Sequence, residues 1–280
     1  MRMRNRKSGQ SRKLVCVVAA LVLGLGTFIA APAAAQAQAT PYNHTYLQFN
    51  MGGNKWNNGG RRLAVADAVA RSVNQRNPFI VTLNEVCKNQ YDRLYQKVPH
   101  YGKFSHAGTS DNPVRCDNGQ LFGNAILIRS SNYSVIGSFP LPGGGEPRRL
   151  FCIKHKPTGA QPIVACVTHI TNIREYRREQ IARVAQITRG YWDENGVLVG
   201  GDFNVTPSDN RLDVMYRNDK GIFNEVDADD NEPTLDRTRG RDTKVDYIFL
   251  SDFDWDRLDG DATHSGYSDH DPLWGTARYS

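Results

Sequence analysis

The sequence lacks the short motifs that identify several common enzyme classes. It has no glycine-rich P-loop, no G-x-S-x-G nucleophile elbow and no C-x-x-C pair. These absences argue against a P-loop nucleotidase, an α/β-hydrolase and a zinc-cysteine site. The 280 residues also contain no low-complexity linker and no internal repeat, so one large domain is expected.

Excess positive charge is missing once the N-terminus is set aside. Six of the 35 basic residues lie within positions 1–13, and the remaining 29 are matched by 29 acidic residues. The formal charge of +6 therefore belongs to the N-terminal segment. A global basic field, the usual feature of a nucleic-acid-binding domain, is absent. Attraction to a polyanion has to come from a local patch or from a bound metal.

Only one long apolar run is present, at residues 14–29, and it follows the basic N-terminus. The Ala-rich stretch "APAAAQAQA" comes next and ends at Ala39. A basic segment, an apolar core and small residues at a cleavage site predict a secretory signal peptide. A membrane anchor is disfavoured, because the run is shorter than about 20 residues. We predict a signal peptide at 1–39, cleaved after Ala37 or Ala39, and one secreted domain at 40–280.

Four cysteines lie beyond the signal segment, and an even number in an exported protein predicts two disulfides. "RLFCIKH" and "PIVACVTH" form a predicted hairpin around Gly159. Cys152 and Cys166 are each seven residues from that glycine, so we expect them to face each other. Pairing of Cys152 with Cys166 leaves Cys87 to pair with Cys116.

Short apolar, β-branched segments alternate with helical patterns along the chain. Strands are predicted at 44–50, 79–86, 124–130, 133–139, 150–155, 162–170, 197–203, 244–250 and 273–279. Apolar residues at helical spacing predict helices at 61–76 and 174–191, and proline with acidic residues predicts a helix start at 207–216. Hairpins mixed with β-helix-β units predict an α/β layered fold with mixed sheets.

Polar side chains recur at the ends of these predicted strands. They are Asn50, Glu85, His169, Asp202, Asn204, Asp246, Asp269 and His270. Each one alone is as well explained by a turn, a helix cap or a local ion pair. Asp202 and Asn204 are one residue apart, so strand alternation predicts that they point to the same side. Together the set predicts a site at one sheet edge, where layered α/β folds place their ligands.

These residue types suit hydrolysis of a phosphate ester. Carboxylate and amide oxygens fit a hard cation such as Mg²⁺. A histidine beside an aspartate is the usual arrangement for a general base. A second histidine can contact or protonate the phosphate oxygens.

Six motifs occur in order: "FN" (49–50), "NEV" (84–86), "VTH" (167–169), "GDFN" (201–204), "VDYIF" (245–249) and "SDHDP" (268–272). From about residue 44 to 280 the chain resembles the endonuclease/exonuclease/phosphatase superfamily, with the DNase I-like fold. The resemblance implies a four-layer α/β sandwich, in which two mixed β-sheets pack face to face with helices outside. It implies a catalytic domain at 40–280 and hydrolysis of phosphoric ester bonds.

The resemblance also implies roles for the site residues. Glu85 would hold the metal, with Asn50 and Asp269 completing or supporting its ligand shell. Asp202 and Asn204 would position the attacking water and the phosphate.

His270 would be the general base, oriented by Asp246, and His169 would contact the phosphate or assist the leaving group. Mg²⁺ is the expected metal, with Mn²⁺ as a substitute and Ca²⁺ as an additional structural ion.

The sequence departs from DNase I at three points. DNase I has arginines two residues after the first Asn and two after the Glu, where this chain has Gly52 and Cys87. No acid lies just before "NAILIR" to pair with His169, and Asn124 or Asp117 are the residues that could take that role. Asn124 is also a candidate substrate contact. These changes keep phosphodiester hydrolysis as the prediction but question the DNase I mode of DNA contact.

Three segments bear on the substrate. "GGNKWNNGG" (52–60) carries Trp56, which could stack on a base or sit at a lipid headgroup interface. "NIREYRREQ" (172–180) offers Arg174, Arg177 and Arg178 for phosphate recognition, or forms a solvated helical face. "DRTRGRDTK" (236–244) is a third basic stretch, expected beside the substrate.

We therefore predict a secreted, metal-dependent endonuclease acting on DNA or RNA. The alternatives are a sphingomyelinase-type phosphodiesterase that binds lipid headgroups, and a non-catalytic binding protein on the same fold. Nothing in the sequence indicates a stable protein partner, so a monomer is expected.

Overall fold

The computed structural model describes residues 42–235 and 243–279. The predicted signal peptide and most of the basic stretch 236–244 lie outside the described residues. The described residues belong to one compact unit. In the described part of the chain, no helix is long and apolar enough to span a membrane.

The first sheet is mixed and has six strands. They are β1 (Tyr42–Asn50), β2 (Ile80–Cys87), β3 (Tyr101–His106), β4 (Phe122–Ile128), β11 (Trp255–Ala262) and β12 (Leu273–Tyr279). Their order is β11-β12-β1-β2-β4-β3. β1 and β2 are parallel, and the other neighbours are antiparallel.

The second sheet is also mixed and six-stranded. Its strands are β5 (Tyr133–Pro140), β6 (Arg149–His155), β7 (Ile163–His169), β8 (Gly196–Asp202), β9 (Phe223–Glu225) and β10 (Asp246–Ser251). They follow the order β5-β6-β7-β8-β10-β9, with β7 and β8 parallel. Both sheets thus contain one central parallel pair, whose strands end at the same edge.

Apolar side chains divide into three layers around these sheets. One layer lies between the sheets and includes Ile80, Ile126, Val167 and Ile248. Helices α1 (Ala64–Arg76) and α2 (Lys88–Tyr95) cover the outer face of the first sheet, and α3 (Arg174–Trp192) covers that of the second. The predicted four-layer sandwich is confirmed.

The paired glycines of "VLVGGDF" permit close approach at the sandwich centre. A Cβ on Gly200 would lie 2.0 Å from Oγ1 of Thr82 in the opposite sheet. A Cβ on Gly201 would lie 2.2 Å from the Thr168 carbonyl oxygen. Any larger residue at either position would displace strand β8, and with it the polar residues at its end.

The predicted strands and the first two helices are confirmed with small boundary shifts, but the predicted helix at 207–216 is wrong. Only a 3₁₀ turn at Leu212–Val214 forms there. The Asp209 side chain accepts the Arg211 N–H at 2.9 Å and its carbonyl accepts the Leu212 N–H. Such local side-chain bonds compete with helix formation.

Both predicted disulfides are confirmed. Cys87 bonds to Cys116, and Cys152 bonds to Cys166. Cys152 and Cys166 are directly opposite in the β6–β7 pair, as the hairpin spacing predicted. The Cys87–Cys116 bond fixes the loop after β3 to the start of α2, two residues beyond Glu85.

Candidate active site

The polar residues at the strand ends meet at one edge of the sandwich. Asn50 ends β1, Glu85 lies near the end of β2, and His169 and Asp202 end β7 and β8. Asp246 begins β10 directly opposite Asp202. Because the parallel strands of both sheets end here, residues from distant parts of the chain become neighbours.

The Asp202 carboxylate lies at the centre of this group. Its Oδ2 is 3.1 Å from Nδ2 of Asn50, 3.3 Å from Nε2 of His169 and 3.8 Å from Nε2 of His270. Burial alone would raise the pKa of Asp202, but the two histidines and the Asn204 N–H lower that pKa below its ordinary value. Asp202 is therefore a fixed negative charge between two imidazole rings.

Asn204 reaches the site by a different route from the predicted one. Strand β8 ends at Asp202, so strand alternation does not apply to Asn204. Asn204 has a left-handed backbone with a φ of 53°, and its N–H donates to Oδ1 of Asp202 at 2.9 Å. Its Nδ2 donates to the Ile170 carbonyl at 2.9 Å and lies 3.2 Å from Nε2 of His169. The turn, rather than the strand, brings the amide to the site.

His270 is buried and bonded to a buried carboxylate. Its Nδ1 lies 2.7 Å from Oδ2 of Asp246. Burial would lower the pKa of His270, but the Asp246 and Asp202 carboxylates outweigh it and raise the pKa to about 10. Asp246 is itself held by the Thr234 hydroxyl, which accepts the Asp246 N–H at 3.0 Å. The contact joins the two residues that the resemblance pairs, and their roles stay a prediction.

His169 has an unexpected partner. Its Nδ1 lies 2.8 Å from Nη1 of Arg148, whose guanidinium pairs with Glu146 at 2.7 Å. The substitutes considered from the sequence bond elsewhere. Asn124 accepts the Asn84 amide at 3.1 Å, and Asp117 pairs with Asn54 at 3.3 Å. The expectation that Asn124 or Asp117 pairs with His169 is wrong, because both face other amides.

Three residues were predicted to hold a metal. Nδ2 of Asn50 lies 3.4 Å from Oε1 of Glu85, so these two meet. Glu85 has a left-handed backbone, with a φ of 50°, at an irregularity in the pairing of β2 with β4. Among the described residues no ion pair forms to its half-buried carboxylate. Asp269 lies beside Gly52, whose added Cβ would be 3.2 Å from Asp269 Oδ1.

The donor set fits a hard divalent cation. Carboxylate oxygens such as those of Glu85 are ligands that Mg²⁺ and Mn²⁺ accept. Asn50 turns its Nδ2 toward Glu85, and its Oδ1 accepts the Gly52 N–H at 3.0 Å, so its oxygen would ligate a cation only after rotation of the amide. No group of three or more His, Cys, Asp or Glu side chains with metal-binding geometry is found among the described residues. Any bound cation therefore has to use the Asn50 amide or water in addition to the carboxylates.

Next to Asp202 and Asp246 lies a buried amide network that sequence reasoning missed. Nε2 of Gln48 donates to Oδ1 of Asn84 at 2.7 Å and to Oδ1 of Asp246 at 3.2 Å. Asn84 accepts the Asp202 N–H at 2.9 Å and donates to the Thr168 carbonyl at 2.9 Å. Gln48 is two residues before Asn50, so the two-residue strand period could have identified it.

The arginines predicted to contact substrate lie at the start of α3, which follows His169 in the chain. Arg174 and Arg178 line an open groove with Arg211, and Arg178 donates to Asn210 at 2.7 Å. Arg177 instead donates to the Thr171 and Asn172 carbonyls, directly after His169.

Two further residues predicted to contact substrate are Trp56 and Asn124. Trp56 is 48% exposed, and its Cβ would be 2.9 Å from a Cβ on Gly52. Asn124 lines a small cavity with His169 and Arg148.

Comparison with known proteins gives a family match and several similar structures. The model of the Endonuclease/Exonuclease/phosphatase family matches residues 47–270. A protein of this family from Bacteroides vulgatus is 19% identical, with a TM-score of 0.67, covering 85% of this chain and 100% of its own. Truncated TDP2 from Caenorhabditis elegans is 19% identical, with a TM-score of 0.64 and coverage of 85% and 98%.

The human Nocturnin catalytic domain with bound sulfate is 16% identical, with a TM-score of 0.65 and coverage of 89% and 100%. At these identities the structural likeness supports the fold alone. No curated protein matches the chain.

The family match spans most of the chain, so this protein belongs to the endonuclease/exonuclease/phosphatase family. It is a hydrolase of phosphoric ester bonds. The resemblance drawn from the six motifs is confirmed, and the alternative of a non-catalytic binding protein is set aside.

Proposed function

We propose that this protein is a secreted, divalent-metal-dependent endonuclease that hydrolyses phosphodiester bonds in DNA or RNA. The observation that carries the proposal is the single contact network around Asp202. It joins a buried His–Asp pair, a second histidine and an amide, and it lies beside a carboxylate that has no cation partner in the described residues. Hydrolysis of a phosphodiester needs a general base, a donor to the phosphate oxygens and ligands for a metal ion, and these groups can supply them.

Each residue of the network has a role in the proposed reaction. Asp246 fixes the ring of His270 through Nδ1, so that Nε2 faces Asp202 and can take a proton from the attacking water. Asp202 and Asn204 orient that water and the phosphate. Nε2 of His169 faces the same point from the opposite side and can donate to a phosphate oxygen.

Glu85 and Asn50 would hold the metal, with Asp269 supporting the shell. A divalent cation there would polarise the phosphate and offset its developing negative charge. The same positive charge, close to Asp202, would lower the pKa of His270 from its value of about 10 toward one suited to a base. Mg²⁺ and Mn²⁺ both suit these oxygen ligands, and Ca²⁺ remains a candidate structural ion.

Nucleic acid is the proposed substrate because the helix that follows His169 begins with three arginines, Arg174, Arg177 and Arg178. Arg174, Arg178 and Arg211 line one groove with Glu175, and a guanidinium binds phosphate through paired donors. Trp56 is exposed near Gly52 and offers a stacking surface for a base. We expect the double variant Arg174→Ala/Arg178→Ala to raise KM for plasmid and to weaken its salt dependence.

Secretion is proposed from the N-terminal segment at 1–39 together with the disulfides. Two disulfides indicate an oxidising environment. The N-terminal sequence of the protein recovered from culture medium tests this directly. A first residue at 38 or 40 is expected, and recovery of the uncleaved chain in the cell fraction would contradict secretion.

The function is tested by nicking of supercoiled plasmid by the purified domain, with Mg²⁺ and with chelator. His270→Ala is compared with His264→Ala, because His264 also contacts an aspartate, Asp271, but on the exposed surface. Metal-dependent nicking that His270→Ala abolishes and His264→Ala retains is the expected result. Nicking that survives in His270→Ala would contradict the site assignment. Hydrolysis of sphingomyelin vesicles without nicking would instead identify a lipid phosphodiesterase.

A further inference from the structure

Arg148 lies on the loop between β5 and β6, and neither the motifs nor the proposed reaction gives it a role. Its side chain is 11% exposed, and its Nη1 contacts both Nδ1 of His169, at 2.8 Å, and Oε1 of Glu146, at 2.7 Å. Its Nε is buried without a hydrogen-bond partner. A buried donor without a partner lowers stability. The guanidinium nevertheless contacts His169, which favours a role at the site over a purely structural one.

In the hydrogen bond between Arg148 and His169, only the arginine can be the donor. A guanidinium has donors and no acceptor, so Nδ1 of His169 must accept the hydrogen bond. A neutral imidazole with an accepting Nδ1 carries its proton on Nε2. Nε2 lies 3.3 Å from Oδ2 of Asp202, which is an acceptor. A doubly protonated ring would instead place an N–H against the guanidinium.

The Asn204 amide nitrogen lies 3.2 Å from Nε2 and also donates to the Ile170 carbonyl at 2.9 Å. An amide nitrogen can only donate, so this contact does not support a proton on Nε2, and the assignment rests on the two charged partners of the ring. Asp202 and Arg148 are the charged groups in direct contact with the ring. One faces Nε2 and the other faces Nδ1, so both favour the same tautomer.

We infer that Arg148, held by Glu146, is a positioning residue that fixes His169 as the Nε2–H tautomer. His169 then acts as a neutral hydrogen-bond donor to a non-bridging phosphate oxygen, and not as the acid that protonates the leaving group. The assignment of the phosphate as the acceptor rests on the proposed phosphodiesterase function. The tautomer itself depends only on the contacts of the ring.

The test is ¹⁵N–¹H spectroscopy of the imidazole rings of Arg148→Met, Arg148→Lys and the wild type. In the wild type, Nδ1 of His169 is expected to resonate as a bare nitrogen and Nε2 as a protonated one. Arg148→Met should lose this signature, and Arg148→Lys, which restores a donor, should recover most of it. Arg149→Met is the matched control, because Arg149 donates to Ser138 and Gly108 and not to His169.

Phosphodiesterase kinetics supply the second readout. Arg148→Met should lower kcat by about 10- to 100-fold with a smaller change in KM, and Arg148→Lys should recover part of the loss. Glu146→Gln should change the ring signature of His169 and kcat in the same direction as Arg148→Met, but by a smaller amount. This variant provides the test if Arg148→Met does not fold. An unchanged ring signature in Arg148→Met would overturn the inference. A changed signature in a protein without phosphodiesterase activity would overturn the proposed function only.

Discussion

Two histidines contact the same carboxylate through Nε2. Their Nδ1 atoms face partners of opposite charge. Nε2 of His270 and Nε2 of His169 both approach Oδ2 of Asp202, at 3.8 and 3.3 Å. Nδ1 of His270 faces the Asp246 carboxylate, whereas Nδ1 of His169 faces the Arg148 guanidinium. The first partner stabilises a charged ring and the second stabilises a neutral one.

The comparison shows how one site can hold two imidazoles in different chemical states. Both residues are histidines, and the difference comes from the group that contacts Nδ1. The base of the proposed reaction needs a partner that tolerates imidazolium after proton transfer, which Asp246 can supply. A fixed donor needs a partner that keeps Nδ1 accepting, which Arg148 supplies.

The largest effect should come from removing the carboxylate that both rings share. Asp202→Asn is expected to lower kcat by about 10³- to 10⁴-fold, because neither Nε2 then faces a negative charge. Single-turnover hydrolysis of a phosphodiester measures this. Asp256→Asn is the control, because Asp256 forms an exposed pair with Arg278 away from the site. Equal losses in both variants would show that the effect is not specific to the site.

A smaller loss of kcat is expected when only the carboxylate partner of His270 is removed. Asp246→Asn should lower kcat by about 10²-fold, because the amide still orients His270 but no longer stabilises its charge. The pKa of His270 should fall from about 10 toward its ordinary value. Titration of the His270 ring resonances in the metal-free variant measures the shift. If the pKa of His270 stayed near 10 in this variant, the increase would be due to Asp202 and not to Asp246.

Sequence analysis located most of this site because strand ends are visible in the pattern of apolar and polar residues. Asn50, Glu85, Asp202 and Asp246 follow or begin apolar runs, and the shared edge of parallel strands brings them together. Arg148 could not be found in this way. Its contact with His169 joins a loop to a strand end, and no periodicity marks it.

The fold was predictable to a similar extent and for similar reasons. The two central parallel pairs have strong apolar signals, whereas α2 is short and has an exposed polar face, so its pattern is weak. The edge strand β11 has an alternating charged sequence, "WDRLDGDA", with little apolar content. Segment 207–216 failed because Asp209 bonds to its own backbone neighbours.

A change in the buried amide network of Gln48 and Asn84 should affect the stability of the protein more than the protonation of either histidine. Asn84→Ala removes the acceptor of the Asp202 N–H and the donor to the Thr168 carbonyl. We expect the free energy of unfolding to fall by about 1–3 kcal/mol, since buried groups lose their partners. Urea denaturation measures it, with the exposed Asn132→Ala as the control. An unchanged stability would contradict the assignment of Asn84 as a shared support.

The smallest expected effect is the pH dependence of stability in the metal-free protein. The pKa of His270 is raised in the folded state, so its contribution is complete below the unfolded value near 6.5 and is lost as the pH rises through about 10. The stability difference between wild type and His270→Ala should therefore shrink between these limits. Urea denaturation at several pH values measures it, and a difference that grows with pH would contradict the assignment.

The most direct test of the comparison is one ¹⁵N–¹H spectrum of the imidazole rings of the metal-free wild-type protein at neutral pH. The account predicts that His270 shows two protonated nitrogens, whereas His169 shows a bare Nδ1 and a protonated Nε2. If both rings showed the same protonation pattern, or if Nδ1 of His169 carried a proton, the two partners would not set the states of the two rings and the account would be wrong.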